Sequence, residues 1–248
     1  MSNNIFYKAL AAVSTVLMNL PKRSLIKATI WLATFPTIFF TVKNGPLYAE
    51  ESKGFYAPSS FGSSLINKGT WEARISNLDY KGDLTFDDGT SWGTGIGYDF
   101  GNRRIEIFYS QSSNNIKGIT AEMIEDTLNP ITADASASGK LSINNFMINT
   151  YFDFPIGEKF ETYLGGGVGG SKINIDRITV ASKEISANNT SKFSYQGTLG
   201  LSYTISKNLN IFGQGTYYGI SNTSQAINKY GIACDNSINY SSGFSLRF

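Results

Sequence analysis

The stretch Ser237-Ile-Asn-Tyr-Ser-Ser-Gly-Phe-Ser-Leu-Arg-Phe248 alternates without a break. Ile238, Tyr240, Phe244, Leu246 and Phe248 fall on one side, with Ser242 among them. Ser237, Asn239, Ser241, Gly243, Ser245 and Arg247 fall on the other. A period of two is the signature of a β-strand with unlike faces. Working backward, Phe193–Ile205 repeats the pattern, with Phe193, Tyr195, Leu199, Leu201 and Tyr203 opposite Ser194, Gln196, Thr198, Gly200 and Ser202. Trp92, Thr94, Ile96, Tyr98 and Phe100 alternate in the same way with Gly93, Gly95, Gly97 and Asp99.

Less regular strands follow from Arg103–Gln111, Leu141–Phe154, Phe160–Gly170 and Leu209–Tyr218, the last with no clear facing. The first strand is read as Gly54–Ser64. Pro58 lies inside it and lacks the N–H that a ladder uses, so a bulge is expected there. Thr70–Asn77 is the rival first strand and is read as an extension of the first hairpin above the membrane. Three connections are short, at Gly101-Asn102, Pro155–Lys159 and Ser206–Asn208. Four are long, at about 65–89, 112–139, 172–191 and 219–236. Short and long alternate strictly, as in outer-membrane barrels with short periplasmic turns and long outer loops.

Composition agrees. Charged residues make up 16% and aromatics 14% of the 248 residues, an unusual balance for a water-soluble globule. The net charge of +2 gives no electrostatic case for nucleic acid. The chain has no histidine, which removes Ser–His nucleophiles, His-ligated zinc and most general-base schemes near neutral pH. No metal or cofactor is expected. The single cysteine, Cys234, is read as a free thiol in a loop.

Residues 1–49 read as a signal peptide. Lys22, Arg23 and Lys27 precede an apolar run, Ala28–Val42, and cleavage is expected after Ala49. A second apolar stretch, Ile5–Leu20, suggests Met18 as the true start. The rival is one or two transmembrane helices, against which Ala28–Val42 falls short of the roughly 20 residues a spanning helix needs. The mature domain is then 50–248.

Taken together, the pattern predicts an all-β, eight-stranded antiparallel up-and-down transmembrane barrel. Lipid requires a closed sheet, because each unpaired backbone group there costs several kcal/mol. Alternation alone also allows the inverted, soluble barrel, with Leu199, Leu201 and Phe244 inside. Two aromatic groups favour lipid as the partner: Phe100, Phe152, Phe154, Phe160, Tyr203 and Phe248 at the short-turn end, and Trp92, Tyr109, Phe193, Tyr195 and Tyr217 at the long-loop end. On the polar face Asp99, Arg104, Glu106, Asp153, Glu161 and Arg247 gather near the short turns. They are expected to pair as a plug, since an unpaired buried charge is costly. Solvation at the rim is the alternative.

These strands resemble the opacity-protein and OmpA-transmembrane-like family of small outer-membrane barrels, which includes surface antigens of intracellular bacteria. The carriers are Gly95–Gly101 with Arg103–Glu106, Tyr163–Gly169, Tyr195–Tyr203 and the terminal strand. The resemblance implies that Tyr240, Phe244, Leu246 and Phe248 form the signal read by the barrel-assembly machinery. It also implies an anchor whose four long loops meet extracellular partners or serve as antigens. No peptidoglycan-binding domain is expected after Phe248. Loop 112–139, through Ala121–Asp126, is read as a solvated acidic loop, with a short helix as the alternative. The alternative function is a narrow porin-like channel, for which inward Gly93, Gly95, Gly97, Gly165, Gly167 and Gly169 leave room; the preferred reading of these glycines is that they relieve wall curvature and let inner side chains from opposite strands meet. Barrel enzymes of the lipase, protease and acyltransferase types use histidine, so no catalysis is expected.

Overall fold

The structure is a computed structural model. It describes residues 53–67, 69–75, 78–124, 131–176, 178–180, 183–185, 189–221, 230–234 and 236–248. The chain divides into units Met1–Asn44 and Gly45–Phe248, and all described residues fall in the second. The leader, Met18 and Ala49 lie outside them.

The strands are β1 (Gly54–Ile66), β2 (Gly69–Ile75), β3 (Leu78–Phe86), β4 (Gly89–Asp99), β5 (Arg103–Ile124), β6 (Ile131–Pro155) and β7 (Phe160–Ile175). After them come β8 (Ile178–Val180), β9 (Lys183–Ile185), β10 (Thr190–Ser206), β11 (Leu209–Ile220), β12 (Tyr230–Cys234) and β13 (Asn236–Arg247). Eight of them form a closed antiparallel ring in the order β5-β4-β1-β13-β11-β10-β7-β6, and β6 pairs back to β5. The first and last ring strands meet through Tyr56↔Arg247 to Ile66↔Ser237. No ring strand is left with a free edge, the condition lipid imposes.

β1 is the first strand, as expected, but Pro58 is accommodated without a bulge. The β1–β4 ladder keeps one register on either side, Tyr56↔Gly97 and Ser59↔Thr94, and skips the residues between. The Thr94 hydroxyl donates to the Pro58 carbonyl at 3.1 Å. The first short turn reverses at Gly101, whose φ of +106° favours glycine. Its N–H donates to Asp99 Oδ1 at 2.7 Å.

The long connections differ from the expectation. Among the described residues they are largely sheet. β2 and β12 continue the register of β1 and β13, with Ile66↔Ser237 followed by Gly69↔Cys234. β2 and β3 likewise continue the β1–β4 hairpin, so Thr70 does lie in its extension. β5 and β6 pair from Arg103↔Phe152 up to Met123↔Ile131. Residues 121–124 are therefore strand, not helix; 125 and 126 lie outside the described residues. Cys234 closes a strand rather than sitting in a loop. The reason is the continuing alternation, which keeps one face of each strand apolar above the membrane.

Facing in the lower part follows the expectation. Phe146 is 57% exposed and its neighbour Met147 0%. Ile105, Ile107, Ile148, Phe152, Leu164, Val168, Leu199, Phe244 and Leu246 all face out. β11 resolves with Phe212, Thr216 and Tyr218 buried inward. Above, the chemistry inverts. Ile66, Leu84, Ile116, Leu141, Ile143, Ile173, Ile175 and Ile220 form one buried cluster, while Asn115, Lys117, Lys140 and Lys172 are exposed. The polar inward set expected of the membrane strands holds in the lower part, and where the sheet continues above it the inward set is apolar.

Candidate functional site: the filled lumen

The lower lumen is built on Arg104 at the start of β5. Its Nε donates to both Asp153 carboxylate oxygens, at 3.1 and 2.9 Å, and its Nη2 donates to Oδ1 at 2.7 Å. Such a two-pronged pair fixes orientation as well as charge. The guanidinium carbon stands 5.6, 5.1 and 4.8 Å from the ring centres of Tyr56, Tyr151 and Tyr163, within cation–π range. Tyr56 and Tyr151 turn their hydroxyls to Glu106, donating at 3.0 and 3.2 Å, and Asn149 adds a third donor at 3.2 Å.

The six charges expected as a cluster all line this end. Arg104 pairs with Asp153, and Arg247 pairs with Asp99. Asp99 and Asp153 are buried. Glu106 takes neutral donors, and Glu161 accepts from Ser202 at 3.4 Å. Tyr240 lies half-buried on the outer wall, where Phe244, Leu246 and Phe248 are exposed.

Large side chains lie beside the inward glycines. A Cβ at Gly97 would strike the Tyr56 ring, one at Gly165 the Tyr151 ring, and one at Gly93 the Phe108 ring. At Gly169 it would meet the Met147 sulfur and at Gly167 the Asn149 amide. Gly200 is the seat of Tyr163. Each missing side chain is the space into which a neighbouring strand's large side chain lies. Between Glu106, Phe212 and Gln214 there remains a cavity of about 20 Å³, room for a single water.

Higher up, neutral groups take over. The Ser110 and Tyr218 hydroxyls lie 3.3 Å apart, Asn145 donates to Ser110 at 3.3 Å, and Thr198 and Thr216 share a bond of 3.2 Å. Above these, Asn114 sits at the change of chemistry. Its amide donates to the carbonyls of Ser64 at 2.8 Å and Asp87 at 3.2 Å. The Ser64 carbonyl lies in β1 close to its upper end, and that of Asp87 in the break between β3 and β4. The apolar cluster begins one step on, at Ile116.

Sequence reasoning missed the three tyrosines and Asn114 as lumen builders. Tyr151 and Tyr163 were visible as aromatics on the otherwise polar row. Asn114 carries no local signal, since its partners are 50 and 27 residues away.

Two aromatic borders mark the outer wall. Trp92 packs on Tyr109 with ring centres 5.6 Å apart at the upper one, and Phe160 on Tyr203 at 4.7 Å at the lower. Aromatics at both edges of an apolar band are the mark of a bilayer-spanning barrel.

The sequence has no significant match among curated proteins. Several solved structures are similar. Neisserial surface protein A shares 14% identity, over 79% of this chain and 97% of that one, with a TM-score of 0.48. The outer membrane protease OmpT from Escherichia coli shares 11%, over 82% and 99%, at 0.43. The outer membrane protein OprG from Pseudomonas aeruginosa shares 14%, over 80% and 97%, at 0.41. The family model described as surface antigen matches residues 62–240. The chain belongs to the surface antigen family, and it is a β-barrel protein of the bacterial outer membrane.

Proposed function

We propose that the barrel is a closed, non-catalytic anchor that holds its hairpin extensions outside the cell as a surface for contact or immune recognition. One observation carries this reading: opposite walls meet inside the lumen at successive heights. Tyr56 on β1 and Tyr163 on β7, four strands apart around the ring, flank the same guanidinium. Ser110 on β5 reaches Tyr218 on the opposing β11. Ile66 and Ile173 then belong to one apolar cluster. In this reading the Arg104–Asp153 and Arg247–Asp99 pairs close the periplasmic half as a plug. The lack of histidine supports a role without catalysis.

The same proposal takes residues 1–49 as a leader cleaved after Ala49, and the outward row Tyr240, Phe244, Leu246 and Phe248 as the assembly signal. Liposome swelling with the purified protein is the test. Exclusion of small sugars is expected. Their influx at rates typical of a porin would overturn the closed anchor in favour of a narrow channel.

A further inference from the structure

The two borders of the lipid band are chemically different. At the upper border, the outward rows pass from aromatics to amides and hydroxyls. Trp92 Nε1 donates to Gln111 at 3.1 Å, and the Tyr109 hydroxyl to Asn144 at 2.9 Å. Lys172 is the cation at that level, level with Asn144 and Ser191. At the lower border, three rows on well-separated ring strands end in a cation. Lys53 lies two residues before exposed Phe55 on β1. Arg103 lies two before exposed Ile105 on β5, paired with Phe152. Lys207 lies two beyond exposed Ile205 on β10. All three cations are exposed, and Glu158 is the acidic residue among the described short turns.

We propose that this lower rim is a binding surface for the phosphates of anionic phospholipids in the periplasmic leaflet. The proposal rests on the barrel spanning the membrane, not on whether its lumen is closed. A step of two residues along a strand is roughly 7 Å, which carries the charged heads from the apolar band to headgroup depth. Long basic side chains there keep their stems against lipid and their heads at the interface. The upper border sets one exposed cation, Lys172, among amides and hydroxyls against three at the lower rim, so the preference is expected to fall on the lower leaflet.

Native mass spectrometry of the detergent-released protein tests it, with phosphatidylglycerol and phosphatidylcholine supplied in equal amounts. Wild type is expected to retain phosphatidylglycerol preferentially, and the preference is expected to collapse as salt is raised. Each basic residue near an anionic surface is worth about fivefold in binding. Arg103→Gln with Lys207→Gln should therefore reduce the preference by more than about tenfold. Arg103→Lys with Lys207→Arg should keep it. Equal retention of both lipids by wild type would sink the proposal, and so would an undiminished preference in the folded double Gln variant. The salt titration uses wild type alone and decides the matter if the variants do not fold. Sugar influx in the swelling assay would leave this proposal standing.

Discussion

Low on β5, Ile105 and Ile107 face out while Glu106 and Ser110 are buried. Higher on the same strand, Asn115 and Lys117 face out and Ile116 is buried. The alternation is the same and the chemistry is reversed. The strand does not know which end is which; the medium outside the wall decides. Against hydrocarbon, apolar groups lose nothing by facing outward, and polar ones must find partners inside. Against water, apolar groups gather inside as in any soluble fold. One sheet thus carries two cores of opposite kinds, an ionic and hydrogen-bonded one below and a hydrocarbon one above.

The contrast can be broken from either side. The largest effect is expected from Arg104→Ala, which leaves Asp153 and the tyrosine ring faces without their cation. Breaking a buried pair from one side costs roughly 3–5 kcal/mol, read as a fall in the denaturation midpoint of the detergent-folded barrel. Replacing both partners, Arg104→Met with Asp153→Leu, should recover most of that loss. If the single and double variants are equally damaged, the pair matters through packing and not charge.

In the upper core, Leu141→Ala should cost about 2–5 kcal/mol through lost burial and a cavity. Trp71, packed against that cluster, reports it by fluorescence once Trp92 is replaced by Phe. A similar loss recorded at Trp92 instead would mean that the two cores unfold as one.

A third comparison uses one face of one strand. Ile107→Arg puts a charge near the middle of the lipid band, for roughly 2–4 kcal/mol. Asn115→Arg, outward on the same strand, should change stability by no more than about 0.5 kcal/mol. Equal costs would place Asn115 in lipid and move the upper border. The last test falls on the boundary itself. Asn114→Ala removes a buried hydrogen bond to the Ser64 carbonyl and a part-buried one to the Asp87 carbonyl, at about 1–3 kcal/mol in all. It should raise hydrogen exchange in β2 and β3 while leaving β10 and β11 protected.

Most of the ring was readable in advance. Period two in Phe193–Ile205 and Ser237–Phe248 marked the strands, and the short turns set their pairing. The aromatic rows marked the borders. What was misread has a common cause. A strand length set by hydrocarbon thickness stops short of sheet that continues into water. Ile116, Leu141 and Ile173 sit on the same rows as Ser112, Asn145 and Gly169. A reading that assigns one polarity to a whole row has no place for them. The inward charges could be gathered from their positions in the strands. Their partners were less legible: Arg104 meets Asp153 across the paired strands β5 and β6, whereas Arg247 meets Asp99 from β13 and β4, which only ring closure brings together.

The seam between β1 and β13 has a consequence in time. Tyr56 is paired with Arg247, so this contact spans nearly the whole polypeptide, whereas the β10–β11 and β6–β7 hairpins join neighbours across a few residues. Loop-closure entropy makes such a distant union slow compared with local hairpins. The seam is therefore expected to form last. Until it does, the facing edges of β1 and β13 stay open and Arg247 is kept from Asp99, and the immature chain must be sheltered until β13 is in place.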